Sequence, residues 1–378
     1  MTDDHLSRTP RIPAFIKNFG RWLLVIPSII LGILIVELVY YVFFLSSGTR
    51  NVDMQMHRVV FLDGSDTIFR NHGDIFTYTP HNDIRNLTAF FLNSEFNIEY
   101  DYHFRTNNFG LVQDDDIIAE RESLLLLGDS FTEGQGAEPW FRLVSPEINK
   151  LGYQAVNGGL MGTSFEQWLK LEGYLVANNI RVRKLVVLFI SFDYNRAVWN
   201  LQPDDFRCLS ALPLCRFDES LFYRLPPQEE WSSWIAKIRT SRAARASRAP
   251  TSKRGWLAAR AAELLPASYR VYMYFRSGQM EQGSRSAITE LIRINGAENV
   301  AFLHLPQKDE LDHGPNDLGL RARHSIQQTG GKLFDGFKLC RLTTSDYYAN
   351  DEHPNRAGYA KIASCAANVI KVMVAEKQ

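Results

Sequence analysis
From Ser123 onward the apolar residues fall in short dense runs, Leu124–Leu127, Gln154–Val156, Lys184–Ile190 and Asn299–Leu305, separated by stretches of helical spacing. Runs this short, apolar without alternation, suit strands buried on both faces. Between them, Ser164-Phe165-Glu166-Gln167 carries the Ser and Gln of a capping box, and Phe165, Trp168, Leu169 and Leu175 then share one helix face. Ser286–Ile294 and Ala360–Val372 predict two further helices. Strands alternating with helices predict a doubly wound α/β layer with a parallel sheet, whose ligands bind beyond the carboxyl ends of the strands. Ser130, Gly159 and Asp193 each follow a predicted strand, which puts all three at that edge.

Upstream the pattern is different. Val59–Leu62, Phe76–Tyr78 and Phe96–Arg105 predict strands, the last alternating apolar and polar as a half-buried strand does, and Asn107-Asn108-Phe109-Gly110 predicts a turn. A β-rich lead-in over 46–120 and the α/β layer over 121–378 are therefore expected. Arg196–Gly283 interrupts the α/β rhythm with the breaker Pro226-Pro227 and with Trp231 and Trp234. It reads as a helical and loop insertion, at about 197–283, placed to cap the edge where ligands bind. Within it Arg239, Arg242, Arg245 and Arg248 recur every three residues, followed by Lys253 and Arg254. A solvated helix face is the plain reading; a basic face toward anionic headgroups or an acidic glycan is the functional one.

Trp22–Leu45 is a long apolar stretch with one charge, Glu37. A bilayer span needs about 20 such residues, and a cleaved signal core runs only about 7–15. Arg8, Arg11, Lys17 and Arg21 precede it, so the positive-inside rule predicts a cytoplasmic tail at 1–21, a transmembrane helix at 22–45 and the remainder outside. The expected location is the inner (plasma) membrane, single-pass, with a periplasmic body. Basic and acidic residues balance at 42 each, so no nucleic-acid partner is expected. The four cysteines all fall on the outer side. No zinc spacing occurs among them, and an oxidising compartment favours disulfides, Cys208 with Cys215 as the local pair and Cys340 with Cys365 as the remaining one, with free buried thiols as the alternative, above all for the second pair.

The chemistry is concentrated in two segments. Gly128-Asp129-Ser130 follows a buried strand and precedes a helix, which exposes a serine hydroxyl at a tight turn next to helix N–H groups. Serine at neutral pH needs a base to act as a nucleophile. Asp351-Glu352-His353-Pro354-Asn355 near the C-terminus offers one, with Asp351 two residues before the imidazole and Asp346 as a weaker candidate acid. Asp309, Glu310, Asp312 and His313 form a second polar cluster, without a metal-binding spacing.

Gly128-Asp129-Ser130, Val156-Asn157-Gly158-Gly159-Leu160-Met161-Gly162 and His353-Pro354-Asn355 followed by Ala357-Gly358 together resemble the sequence blocks of the SGNH/GDSL hydrolases, over roughly Ser123 to Ile370. The resemblance implies a flavodoxin-like α/β fold carrying a serine esterase. It implies Ser130 as nucleophile, His353 as general base and Asp351 as the orienting acid. It implies an oxyanion hole from the N–H groups of Ser130 and Gly159. The family's third oxyanion donor, an asparagine after a strand, is absent: Phe189-Ile190-Ser191-Phe192-Asp193-Tyr194-Asn195 places Phe192 or Asp193 there, and Asn195 is the candidate replacement. No metal or organic cofactor is implied. The expected substrate is an acylated envelope glycan or lipid. Three alternatives stand beside the esterase: an O-acyltransferase of a surface polysaccharide using the same pair, a catalytically weakened envelope scaffold, and a glycan-binding protein using the insertion's Trp and Arg residues.

Overall fold
The computed structural model describes residues 25, 27–37, 39, 57–65, 67–92, 95–137, 140–198, 209, 222–246 and 265–375. The chain divides into two units, residues 54–248 with 276–378, and residues 1–53 with 249–275.

The larger unit opens with the lead-in. Strands β1 (His57–Asp63), β4 (Asp83–Leu92) and β5 (Glu95–Arg105) pair antiparallel, with the short hairpin β2 (Phe69–Asn71) and β3 (Phe76–Tyr78) beside them. The α/β layer follows: β6 (Glu122–Gly128), α1 (Ser130–Glu133), α2 (Phe141–Lys150), β7 (Gln154–Gly159), α3 (Phe165–Ala177) and β8 (Arg181–Phe189). A 3-10 turn at Ser191–Asn195 leads to the insertion, with β9 (Phe222–Arg224) and α4 (Trp231–Ala246). Then come α5 (Pro266–Asn295), β10 (Val300–His304), α6 (Asp317–Gln328), β11 (Lys332–Asp335), α7 (Gly336–Leu339) and α8 (Arg356–Ala375).

The five core strands are all parallel and lie in the order β11-β10-β8-β6-β7. Numbered among themselves they run 2-1-3-4-5, the flavodoxin-like order, with its crevice between the carboxyl ends of β6 and β8. The doubly wound expectation therefore holds. Its cause is visible in β6. Leu125 and Leu127 point to one face, against Phe165 and Trp168 of α3 and Ile288 and Leu291 of α5. Leu124 and Leu126 point to the other, against Val144 and Ile148 of α2 and Ile362 and Ala366 of α8. All four leucines are fully buried, each contributing about 1.5–3 kcal/mol. Helices thus cover both faces because the strand is apolar on both.

The lead-in shares the first of these cores: Tyr78, Tyr100, Tyr102 and Phe104 pack in the same cluster as Leu125 and Val156. The described strand and helix of the insertion, 222–246, lie on the lead-in sheet and not over the strand ends; residues 199–208, 210–221 and 247–264 of the insertion fall outside the described residues. β9 adds to β1 in parallel, extending the lead-in sheet to the order β5-β4-β1-β9. Trp231, Trp234, Ile235 and Ile238 of α4 then cover Val59, Phe61, Leu87 and Ala89 on that sheet's outer face. Burying two tryptophans was the stronger drive, so neither is presented for glycan binding. Arg239 lies on α4; the side chains of Arg242 and Arg245, and all of Arg248, Lys253 and Arg254, fall outside the described residues. Helix α5 begins about twenty residues before the expected Ser286. Gly283, the expected end of the insertion, sits inside it, where a Cβ would come 1.6 Å from the Glu166 carboxylate of α3.

In the smaller unit, Glu37 is buried and accepts from the Ala267 and Ser268 N–H groups at 2.8 and 2.7 Å, in the first turn of α5. Those are two of the N–H groups a helix start leaves unpaired, so the single charge of the apolar stretch serves as a helix cap. Among the described residues no helix is long and apolar enough to cross a membrane; residues 22–24, 26, 38 and 40–45 of the expected span lie outside them.

Candidate active site
Gly128 ends β6 where no side chain fits: a Cβ would lie 1.9 Å from Thr132 Oγ1 and 2.5 Å from the Leu188 carbonyl. Asp129 caps α1 by accepting from the Phe131 N–H at 2.9 Å, and Gly134, at φ 95°, ends the helix in the left-handed region. Ser130 is thereby the first helical residue, at the crevice between β6 and β8.

His353 comes from the loop before α8. Its Nε2 lies 2.7 Å from Ser130 Oγ, and its Nδ1 hydrogen-bonds Asp351 Oδ1. The two-residue spacing works because the His353 backbone N–H also donates to Asp351 Oδ1, at 3.1 Å. This is an Asx turn, which folds the carboxylate back over the imidazole. An isolated β-bridge between Tyr347 and Pro354 holds the loop. Burial pushes the Asp351 pKa up, but the imidazole of His353, then Arg58 and the Tyr100 hydroxyl, outweigh it and hold the carboxyl well below the usual range. An ionised carboxylate only accepts, so the proton sits on His353 Nδ1 and the Nε2 lone pair faces the Ser130 hydroxyl. Asp346 takes no part: it caps Thr343 and pairs with Lys361 Nζ at 2.6 Å.

The oxyanion side differs from expectation in two places. The Gly159 N–H donates to Asn157 Oδ1 at 3.0 Å and is not open to a ligand. Gly159 is needed instead for close approach, since a Cβ would stand 2.2 Å from the Glu133 nitrogen of α1. The next two N–H groups are also engaged, Leu160 with the Gly128 carbonyl at 3.1 Å and Met161 with Glu133 Oε2 at 2.6 Å. Gly162, at φ 71°, has an N–H that donates to none of the described residues. It is the donor of that loop left available, and it stood in the segment Val156–Gly162 already singled out, three residues beyond the glycine chosen. The Ser130 N–H heads α1 and has no intrahelical carbonyl. Asn195 is the second correction: its Nδ2 donates to Ser277 Oγ of α5 at 3.0 Å. Phe192, one of the two residues that the resemblance allows at the asparagine position, is half-exposed.

Asp193 lies behind the nucleophile turn. Its Oδ2 accepts from the Ile190 N–H at 2.9 Å, and the guanidinium of Arg196 stands 3.4 Å from both Asp193 Oδ1 and Asp129 Oδ2. Burial, and next the charge of Asp129, raise the Asp193 pKa well above the carboxylate range, with Arg196 opposing. In the second polar cluster Glu310 is structural: it turns inward, accepting from Ser191 Oγ at 2.6 Å and from the Gln307 and Asn316 N–H groups, while Asp309, Asp312 and His313 are exposed. His304 Nδ1 accepts from Arg323, so its Nε2–H donates to Ser191 Oγ (3.1 Å). That hydroxyl already donates to a carboxylate, the reverse of what a nucleophile needs. Among the described residues no group of three metal-ligating side chains occurs. Cys340 and Cys365 form the expected disulfide, while Cys208 and Cys215 lie outside the described residues.

A cleft of ≈ 580 Å³ opens beside the triad, lined by Tyr100, Tyr102 and Phe104 of the lead-in, Gly136, Tyr348 and Arg356 among others. Tyr100 is common to both: it lines the cleft and its hydroxyl donates to Asp351.

Neither a protein-family model nor a curated protein matches the chain. Solved structures similar to it include LAE5, an α/β hydrolase from the metagenome of Lake Arreo, Spain, at 13% identity and TM-score 0.32, covering 68% of this chain and 98% of that one. The acetylxylan esterase Axe2 of Geobacillus stearothermophilus is similar at 13% identity and TM-score 0.32, covering 67% and 94%. A carbohydrate esterase family 3 protein of Talaromyces cellulolyticus is similar at 12% identity and TM-score 0.29, covering 67% and 98%. Likeness at this level assigns no residue a role, and the functional argument rests on the geometry above.

Proposed function
We propose that this chain is a serine esterase acting on O-acyl groups of an envelope glycan or lipid. The observation that carries the proposal is the Ser130 Oγ–His353 Nε2 distance of 2.7 Å, with Asp351 on the opposite ring nitrogen. His353 takes the Ser130 proton as Oγ attacks the ester carbonyl, and the carbonyl π electrons move to oxygen. The N–H groups of Ser130 and Gly162 receive that oxyanion, and ionised Asp351 stabilises the imidazolium. On collapse the C–O bond to the alcohol breaks, and His353 Nε2 gives its proton to the departing oxygen. Water, deprotonated by His353, then adds to the acyl carbonyl; the bond from that carbon to Ser130 Oγ breaks, His353 Nε2 returns the proton to Oγ, and the acyl group leaves as its acid. A sugar hydroxyl in place of that water makes the same residues an acyltransferase. The aromatic and arginine side chains of the adjoining cleft support a glycan on the alcohol side.

The body of the protein is placed outside the cytoplasm in this proposal, tethered through residues 22–45. The basic residues before the apolar stretch support that orientation, and the Cys340–Cys365 bond suits an oxidising compartment. A fluorophosphonate probe tests the chemistry on the full chain. Labelling of wild type that is lost in Ser130→Ala and His353→Ala is expected; equal labelling of Ser130→Ala contradicts the assignment. Adding glycan acceptors to a chromogenic acetyl ester separates hydrolysis from transfer.

A further inference from the structure
Asp351 has a second face that the triad does not use. Oδ1 is taken by the ring and backbone N–H groups of His353. Oδ2 stands 2.9 Å from the Tyr100 hydroxyl and 3.1 Å from Arg58 Nε. Both side chains come from the lead-in sheet, Arg58 from β1 and Tyr100 from β5, while Asp351 belongs to the loop before α8. Three segments far apart in sequence therefore meet on one carboxylate oxygen.

The direction of every bond here is fixed. Arg58 Nη2 donates to the Tyr100 oxygen at 2.7 Å, and Gln135 Nε2 stands 3.2 Å from the same oxygen. Arginine has no acceptor and the amide nitrogen only donates, so the single Tyr100 proton goes to Asp351. Burial, opposed by Arg58, raises the Tyr100 pKa and keeps the phenol protonated. We propose that Arg58 and Tyr100 are positioning residues for the Asp351–His353 pair, making the lead-in sheet part of the active centre. This rests on the esterase proposal.

Two effects follow. A carboxylate held at Oδ2 by the Tyr100 hydroxyl and by the charge of Arg58 resists rotation, so Oδ1 stays in line with His353 Nδ1 and the imidazole stays aimed at Ser130. Arg58 also draws part of the Asp351 charge away from the ring. Without it the imidazolium is better stabilised, and His353 takes a proton at higher pH. The other ionisable groups that bear on the pair are Glu352 and Tyr348 of its own loop and Tyr359 of α8, with Lys308 and Asp309 facing Glu352. None of these donates to Asp351 Oδ2.

The test compares Arg58→Gln, Arg58→Lys and Tyr100→Phe with wild type in the full chain. Hydrolysis of an acetyl ester is followed against pH, and the His353 imidazole is titrated by NMR, assigned by its loss in His353→Gln. In Arg58→Gln, kcat is expected to fall about tenfold or more with KM little changed. The acid limb of kcat/KM and the NMR titration are both expected to move up by about one pH unit. Arg58→Lys restores the position of the acid limb while leaving kcat reduced, because one ammonium replaces the fork of a guanidinium. Tyr100→Phe lowers kcat and carries the proposal should Arg58→Gln not fold. An unchanged pH profile and His353 titration in folded Arg58→Gln, or wild-type kcat in folded Tyr100→Phe, overturns it. Failure of the esterase proposal reads differently: wild type then neither hydrolyses the ester nor takes the fluorophosphonate, while the NMR shift in Arg58→Gln still reports on the contact.

Discussion
At the scale of single residues, the account turns on which groups around Ser130 carry protons. Asp351 must be ionised to hold the Nδ1–H tautomer of His353. Asp351→Asn offers an amide that favours the wrong tautomer, and kcat is expected to fall by roughly 10⁴-fold while the fold persists, as a circular dichroism melt would show. Glu133 behaves in the opposite way. Burial lifts its pKa from 4.5 to about 8, although it accepts from the Met161 N–H and the Tyr78 hydroxyl. Its folded form binds a proton that the unfolded chain has already lost above 4.5, so its contribution to stability is complete below that pH and declines up to about 8. The difference in melting temperature between wild type and Glu133→Gln is expected to change across that window in the direction of wild-type loss as pH rises. A difference independent of pH from 4.5 to 8 contradicts the assignment. The meeting of Ser130 and His353 was legible in the sequence because their motifs are local: a strand, a tight turn and a capped helix for Ser130, an Asx turn for His353. The donors expected beside the Ser130 N–H were not, because motif position does not say which N–H groups are already spent. Gly159 and Asn195 are both engaged by neighbours, one local and one eighty-two residues away.

Elements show a similar division. The buried strands, the helix after Ser164 and the final helix follow from runs and periodicity, and the structure has them. The placement of α4 was not legible because its partner is a sheet formed much earlier in the chain: a helix carrying two tryptophans records that it must be buried, not against what. If α4 is core and not a glycan platform, Trp234→Ala is expected to cost about 3–5 kcal/mol in a urea titration. It should do so without selectively weakening binding to any immobilised glycan. The β6–α1 turn is equally exacting. Gly128→Ala places a methyl against the Leu188 carbonyl and Thr132, so the turn must open and Ser130 must shift. Loss of probe labelling in a variant that still melts cooperatively is the expected outcome. The role of β1 and β5 at the triad had only an indirect sequence signal. The alternation of Phe96–Arg105 places Tyr100, Tyr102 and Phe104 on the inward face, but no pattern in one strand states that a hydroxyl reaches a loop 251 residues on.

For the whole molecule, the lead-in and the α/β layer act together: they share a core, and Asp351 is held from both. The Cys340–Cys365 bond ties α8, which follows the His353 loop, to the turn after α7, closing 25 residues of chain. Replacing both cysteines by serine is expected to lower stability by about 3 kcal/mol through chain entropy. Labelling at Ser130 should persist, because neither sulfur touches the site. Placement outside the cytoplasm is open to a direct check. Protease added to intact spheroplasts is expected to digest residues beyond 45 and spare an N-terminal tag, and protection of the body from protease would contradict the orientation.

The central claim is that the Ser130 hydroxyl and the His353 imidazole work as one unit. The most direct measurement is the second-order rate of fluorophosphonate labelling across pH in wild type, Ser130→Ala and His353→Ala. The account expects a stoichiometric adduct on Ser130 by mass spectrometry, a rate that rises as one group loses its proton, and loss of both in the two variants. A folded wild type that takes no label, or a His353→Ala variant labelled at the wild-type rate with the same pH profile, contradicts it.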